Sequence, residues 1–256
     1  MKYILIIFFV FLFSFNVISC SSKDSGSSST STASDDKTNV CSSSSISTRQ
    51  LARSSNDYAY GVAIDSSGNV YVAGGTNGGL DGNTNAGNTD LFVVKYNSSG
   101  TKQWTKQLGS SSRDSANGVA TDSSGNVYVT GMTNGELDGC KSAGVEDLFV
   151  VKYNSSGTKQ WTNQLGSSSR DSANGVATDS SGNVYVTGTT YWELDGNTSA
   201  GNADLFVVKY NSSGTKQWTK QLGTEKTDEA RGVSTDSSGN VYVTGYTDGG
   251  LDGNSS

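Results

Sequence analysis

The chain has 256 residues, 33% of them hydrophobic, with 32 glycines, no proline, no histidine and a net charge of −6. The negative balance argues against nucleic acid as a partner, because phosphates demand a basic face. The lack of histidine removes the commonest general base and metal ligand near neutral pH, which disfavours ordinary hydrolase chemistry; no cofactor is implied.

From the N-terminus, Lys2 supplies a positive charge and Ile4 to Phe13 is an unbroken apolar run. The run is shorter than the about 20 residues of a membrane-spanning helix and matches the apolar core of a signal peptide. It closes on Val17-Ile18-Ser19-Cys20, which resembles the lipobox of bacterial lipoproteins. That resemblance implies a signal peptide over residues 1–19 and acylation of Cys20. Several acyl chains, at about 0.8 kcal/mol per buried methylene, would hold a soluble domain firmly on a membrane. Residues 20–45 are mostly Ser, Thr, Asp and Lys; such a stretch buries too little to offset its ordering entropy and reads as a flexible tether. The expected address is the bacterial cell envelope, at the outer membrane, on either of its faces.

Residues 46–256 are a repeat domain. The phrase Asp-Ser-Ser-Gly-Asn-Val-Tyr-Val-Thr-Gly stands at Asp122–Gly131, Asp179–Gly188 and Asp236–Gly245, and with Ala73 in place of Thr at Asp65–Gly74; the step is 57 residues each time. A second phrase, Asp-Leu-Phe-Val-Val-Lys-Tyr-Asn-Ser-Ser-Gly-Thr-Lys-Gln-Trp, begins at Asp90, Asp147 and Asp204 with the same step. A fixed period of this size denotes a repeat architecture. Within one copy, the small residues 116–121 read as a strand and 122–126 as a tight turn, since Asp and Ser bond their own backbone and Gly tolerates positive φ. Residues 127–130 return as a second strand, completing a hairpin. A polar loop leads to 148–153, whose near-continuous apolar character predicts a strand covered on both faces. After the turn 154–157, residues 159–164 form a fourth strand with Trp161 and Leu165 on one face. The lysines of this strand in the sister copies (Lys102, Lys106, Lys216, Lys220) are expected to blunt an exposed edge.

Four antiparallel strands at a fixed step predict an all-β fold, a β-propeller-like array of four-stranded blades, with the small-residue strand innermost and each blade stacked on its neighbour. A β-helix is the rival, but its coils are shorter and lack paired hairpin turns. The phrase Gly-Val-Ala-Thr-Asp-Ser-Ser-Gly-Asn-Val-Tyr-Val-Thr-Gly with the following Lys-Tyr-Asn…Gly…Trp strand resembles the SBBP family of bacterial β-propeller repeats, over roughly Ser47 to the C-terminus. The resemblance implies a propeller on a secreted or surface protein and no particular reaction. Three copies are complete and a fourth carries its first hairpin; residues 48–51 align with Thr105–Leu108 as a lone outer strand for the last blade. This count leaves open a distorted four-bladed ring, an arc completed by a second chain through self-association, and a shortened longer propeller.

Three sets of residues are candidate sites. The loop from Asp81 to Gly87 alternates oxygen ligands as calcium loops do, but it lacks the glycine and bidentate glutamate of an EF-hand, and its counterpart at Asp138 carries Cys140 and Lys141; a polar loop that caps itself is the better reading, and no metal is assigned. Acids recurring in every copy (Asp57, Asp114, Asp171, Asp228; Asp81, Asp138, Asp195, Asp252) read as turn or inter-blade hydrogen-bonding groups. Glu136 and Glu193 stand in two copies without a visible partner, so no catalytic residue is assigned. The residues that depart from the repeat are Tyr191, Trp192 and Glu193, with Cys140-Lys141 and Glu146, all in the long loop between second and third strands. Loops on rigid scaffolds carry function, and exposed Tyr and Trp are frequent anchors, so Tyr191, Trp192 and Glu193 are the expected ligand-binding residues; drift after duplication is the bland alternative. Cys41 and Cys140 could pair in an oxidising compartment, or stay as thiols. The expected function is a lipid-anchored, non-enzymatic binding or adhesive module for a protein or glycan. The alternatives are a carbohydrate-active enzyme and a structural spacer.

Overall fold

The computed structural model describes residues 55–251 and 254. The leader with Cys20, the Ser-rich stretch, Cys41 and the expected outer strand at 48–51 lie outside the described residues. The first blade is β1 (Asp57–Ile64), β2 (Val70–Thr76), β3 (Asp90–Tyr96) and β4 (Lys102–Leu108). The second is β5 (Asp114–Thr121), β6 (Val127–Thr133), β7 (Asp147–Tyr153) and β8 (Lys159–Leu165); the third is β9 (Asp171–Thr178), β10 (Val184–Thr190), β11 (Asp204–Tyr210) and β12 (Lys216–Leu222). Each is an antiparallel sheet in chain order, and β13 (Asp228–Thr235) with β14 (Val241–Thr247) forms a two-stranded sheet. These are the propeller blades that the repeat predicts, three complete and one partial. The inner strands pack side by side in the order β1, β5, β9, β13.

The shared residues account for each blade. In the hairpin turn, Asp122 Oδ1 accepts the backbone N–H of Ser124 and Asn126, both at 2.9 Å, and Gly125 takes φ 75°. Asp122 Oδ2 accepts the Asn126 amide at 2.7 Å and the Tyr128 hydroxyl at 2.9 Å, so the turn is tied to the buried strand that follows it. Burial works to raise Asp122, but the bonds from Asn126, Tyr128 and Ser124 outweigh it and hold the carboxyl below its ordinary value. The third strand is buried on both faces, as expected: Leu148, Phe149, Val150 and Val151 are all inaccessible. Gly188 lies where a side chain would collide with the Ser172 carbonyl and with the Phe206 ring at 2.9 Å, so the repeated glycine is a steric requirement.

Junctions between blades are equally regular. A bulge sets Asn117 out of the β5 ladder, and its amide donates to Ala173 O of the next blade at 2.9 Å; Asn174 does the same to Ala230 O at 2.8 Å. Thr178 Oγ1 donates to Thr121 O at 3.1 Å and Thr235 Oγ1 to Thr178 O at 2.9 Å. On the outside, Lys152 lies over the Tyr128 ring at 5.2 Å and donates to Ser212 O at 2.9 Å. Apolar clusters fill the junctions, Leu91 and Val93 meeting Val119, Val127 and Val129 at the first, Leu148 and Val150 meeting Ala173, Val184 and Val186 at the second.

Three details differ from the sequence expectation. The inner strand starts at Asp114 rather than at 116, because the Asp114 carboxylate is itself buried and satisfied by Ser110 and Thr133. The polar loop holds a 3-10 turn at Leu137–Gly139 whose Leu137 is fully buried. Lys102 and Lys216 do not stand free along an edge but pair with Asp81 and Asp195.

Candidate functional site

The recurring acids are scaffold groups. Asp81, Asp138 and Asp195 sit at positive φ, each pairing with the lysine that opens the fourth strand and accepting a threonine hydroxyl two strands away in the fold: Lys102 and Thr105, Lys159 and Thr162, Lys216 and Thr219. The lysine bond to Asp81, helped by Thr105, outweighs burial and lowers its carboxyl. With those oxygens engaged, the loop from Asp81 is a self-satisfied turn. Asp114 and Asp171 are fully buried, and burial, with repulsion from Asp90 and Asp147 across the junction, raises both despite their hydrogen bonds. Cys140 is a half-buried free thiol against Thr162 O of its own blade, raised first by burial and then by Asp138.

The loop after β10 is different. Tyr191 N–H donates to Arg170 O at 3.0 Å, and Trp192 is held at both backbone ends by Thr190 Oγ1. Gln221 donates to Trp192 O at 3.1 Å and accepts Leu194 N–H at 2.9 Å, while Leu194 is fully buried. The backbone from Tyr191 to Leu194 is thus fixed on every side, yet the Tyr191 and Trp192 side chains are 45% and 54% exposed, and Glu193 is exposed as well. The same fixed path carries Asn77 and Gly78 in the first blade and Asn134 and Gly135 in the second.

Neighbouring segments extend the surface. Val145 N–H donates to Ser169 O at 3.0 Å, Asp171 N–H to Glu146 O at 2.7 Å, and Asn134 Nδ2 to Val145 O at 2.8 Å. These bonds bring Val145-Glu146, Ser169-Arg170 and Tyr191 side by side across the junction of the second and third blades. Val145 is 55% exposed, and Arg113 and Arg170 are exposed. Burial raises the Glu146 carboxyl, while Arg113 and Arg170 act to lower it. The group joins apolar and aromatic contact area to two guanidinium forks, a set suited to holding a ligand with a flat or apolar face and a carboxylate or other anionic group.

Of the expected binding residues, Tyr191, Trp192 and Glu193 lie on this surface and Glu146 borders it; Cys140 is held against its own fourth strand. Val145, Arg113 and Arg170 were not singled out from sequence. The signal was present, since all three depart from their counterparts: Asn88 and Asn202 for Val145, Asn56 and Thr227 for the arginine position. The glutamines Gln107, Gln164 and Gln221, which pin each loop from the fourth strand, were also missed, because an invariant polar residue in a strand looks like mere surface.

An uncharacterized WD repeat-containing protein of Acanthamoeba polyphaga mimivirus is 27% identical over 186 residues, covering 57% of this chain and 13% of that protein. The regulatory protein FlaEY of Caulobacter vibrioides is 27% identical over 187 residues, covering 65% of this chain and 20% of that one. The chain therefore spans a fifth or less of the length of these relatives. The β-propeller repeat model of the SBBP family matches four times, at residues 48–81, 103–138, 160–191 and 217–252, and the chain belongs to that family.

Proposed function

We propose that this chain is a non-enzymatic binding module, anchored to the bacterial envelope by lipid on Cys20 and presenting its propeller blades to a protein or glycan ligand, in an adhesive or regulatory role. The observation that carries the binding reading is the pair Tyr191 and Trp192, exposed on a backbone fixed by Arg170, Thr190 and Gln221. A rigid backbone presents large aromatic rings at little entropic cost on binding. The repeat family and relatives bearing WD-repeat and regulatory names support an interaction role.

The test has two parts. Chains with Tyr191→Ala and Trp192→Ala are screened beside the unaltered chain on glycan arrays and against envelope proteins from the same cells. Loss of a ligand at unchanged thermal stability supports the reading; a ligand retained by the double variant places binding elsewhere, and activity on a polysaccharide that disappears with Glu193→Gln replaces it with an enzyme. For the anchor, Cys20→Ser should move the protein from the membrane to the soluble fraction and abolish incorporation of labelled palmitate. Continued membrane association would refute lipidation at Cys20.

A further inference from the structure

Arg113 and Arg170 hold the same position in the second and third blades, where the first and last copies have Asn56 and Thr227. Their backbones are fixed alike. Arg113 pairs in parallel with Thr89 and Arg170 with Glu146, each in the blade before. Each carbonyl then accepts a loop N–H, from Asn134 at 2.9 Å and from Tyr191 at 3.0 Å. Both side chains are exposed, and among the described residues neither guanidinium belongs to an ion pair. Glu146 acts on both through space without closing a salt bridge. An arginine that sister blades replace by Asn or Thr is not required by the fold.

The same bonds lay these positions in one row. Asn134 lies beside Arg113 and its side-chain amide reaches Val145 O at 2.8 Å; Glu146 then lies beside Arg170, and Arg170 beside Tyr191. Neighbouring backbones stand about 4.8 Å apart, so four steps make a row of roughly 20 Å with the two arginines roughly 15 Å apart. Val145 is exposed between the arginines, and the exposed rings of Tyr191 and Trp192 close one end. Glu146, the acid within the row, is half-buried, whereas Glu193 follows Trp192 beyond its end.

We propose that the ligand of this surface is an extended polysaccharide bearing carboxylates, a polyuronate, laid along the row with one carboxylate on Arg170 and another on Arg113. The proposal rests on the binding role of the loop after β10 and adds its ligand class. Each guanidinium offers a planar fork that matches the two oxygens of a carboxylate. Two forks displayed in one register by two blades suit a chain whose acidic group repeats, whereas the acids of a peptide follow no fixed spacing. Between and beyond the forks, Val145 and the two aromatic rings offer apolar area to the C–H faces of sugar rings. Glu146 repels an anion placed midway and so confines the carboxylates to the arginine positions. The chain as a whole carries a net charge of −6, so no general attraction draws a polyanion to it and recognition falls to these two forks.

The test uses the full chain in detergent and titration calorimetry with polygalacturonate, polymannuronate and polyglucuronate of defined length, each beside its carboxyl-reduced neutral form. Binding of at least one polyuronate is expected, and carboxyl reduction should abolish it. Arg113→Ala and Arg170→Ala should each weaken it at least about tenfold, as loss of a charge-assisted pair of bonds does. Arg170→Lys should recover only part of that loss, because the charge returns without the fork, and Glu146→Gln should strengthen binding. Absence of binding to all three polymers overturns the proposal, as does equal affinity for the reduced forms or for polyglutamate, or indifference to both arginine substitutions. A neutral glycan or a protein that is bound by the unaltered chain and lost with Tyr191→Ala and Trp192→Ala overturns the acidic ligand alone and leaves the binding role of the loop standing. A polyuronate lost with the arginines but indifferent to both aromatic substitutions overturns the aromatic anchors and supports the forks.

Discussion

Replacing Asp122 with alanine should loosen the β5–β6 hairpin by about 2–4 kcal/mol. Its carboxylate accepts four hydrogen bonds, two from the turn backbone, one from the Asn126 amide and one from the Tyr128 hydroxyl. The turn bonds are partly exposed, and each contributes roughly 0.5 kcal/mol net once water competes. The Tyr128 bond differs, because the ring is fully buried and the hydroxyl would be left without an acceptor, at about 1–3 kcal/mol. Asp236 makes the same four bonds around the turn of β13–β14, but Tyr242 there is half-buried and water can replace the carboxylate. Asp236→Ala should therefore cost distinctly less. Arrays of repeats open unit by unit, so amide hydrogen exchange read separately in the two hairpins is the suitable assay. Protection in β5–β6 should fall roughly thirty- to several-hundred-fold in Asp122→Ala, since about 1.4 kcal/mol is tenfold, and protection in β13–β14 of Asp236→Ala should fall less. Equal losses would refute burial of the tyrosine hydroxyl as the deciding factor.

Acid should act on the blades in two opposed ways. Asp122 and Asp179 are lowered by their hydrogen bonds, so the stability they contribute is present above the ordinary carboxylate value of about 3.9 and is lost as pH falls through their folded values. Asp114 and Asp171 are raised by burial, so their ionised forms cost stability at neutral pH, and acidification through their folded values toward the ordinary one relieves it. Asp114→Asn should keep an oxygen for Ser110 and remove this relief, leaving stability at pH 7 within about 1 kcal/mol; a loss as large as that of Asp122→Ala would show that the charge itself is needed. Gly157→Ala should destabilise more than Gly139→Ala: both are at positive φ, costing about 1–2 kcal/mol, but only at Gly157 does the new carbon meet Trp104 at 3.0 Å and Lys106 at 2.7 Å. Near-ultraviolet circular dichroism of the tryptophans should change in the first variant alone. Tyr191→Ala and Trp192→Ala should leave the melting temperature unchanged within error, because their backbone bonds survive and their rings are exposed.

Much of the blade was legible because identical residues recur in identical roles. The turn phrase announced hairpins through Asp and Gly, and the structure uses both as turn chemistry requires. The third strand announced its burial through an apolar run, and Phe149 and Val151 are indeed inaccessible. Long-range polar contacts were not legible. Gln164 reaches from the fourth strand to Leu137 N–H, Gly135 O and Asp147, across intervals of 17 to 29 residues that no local pattern encodes. The start of the inner strand was missed for a related reason, since Asp114 reads as a turn former until Ser110 and Thr133 are seen around it. The proposed binding surface was half legible. Tyr191 and Trp192 stood out as aromatic departures, whereas Val145 and Arg170 joined them only once the junction laid their backbones together.

Repetition itself separates scaffold from specificity in this chain. A residue present in every copy has to serve the same contact in every copy, and the structure finds that contact: Asp122 in the turn, Asp138 on Lys159, Gly188 beneath Phe206, Lys152 on the next blade. None of these groups is left over for a ligand. A residue present once cannot be required by the blade, because sister blades fold without it. Tyr191 and Trp192 replace Asn and Gly on an unchanged backbone, and Tyr58, Tyr60 and Ile64 replace Ser, Asn and Thr on an unchanged strand. In both places the substitution places apolar area in water, which folding does not reward. Association with another molecule would reward it, which is the role proposed for the loop surface around Tyr191 and Trp192.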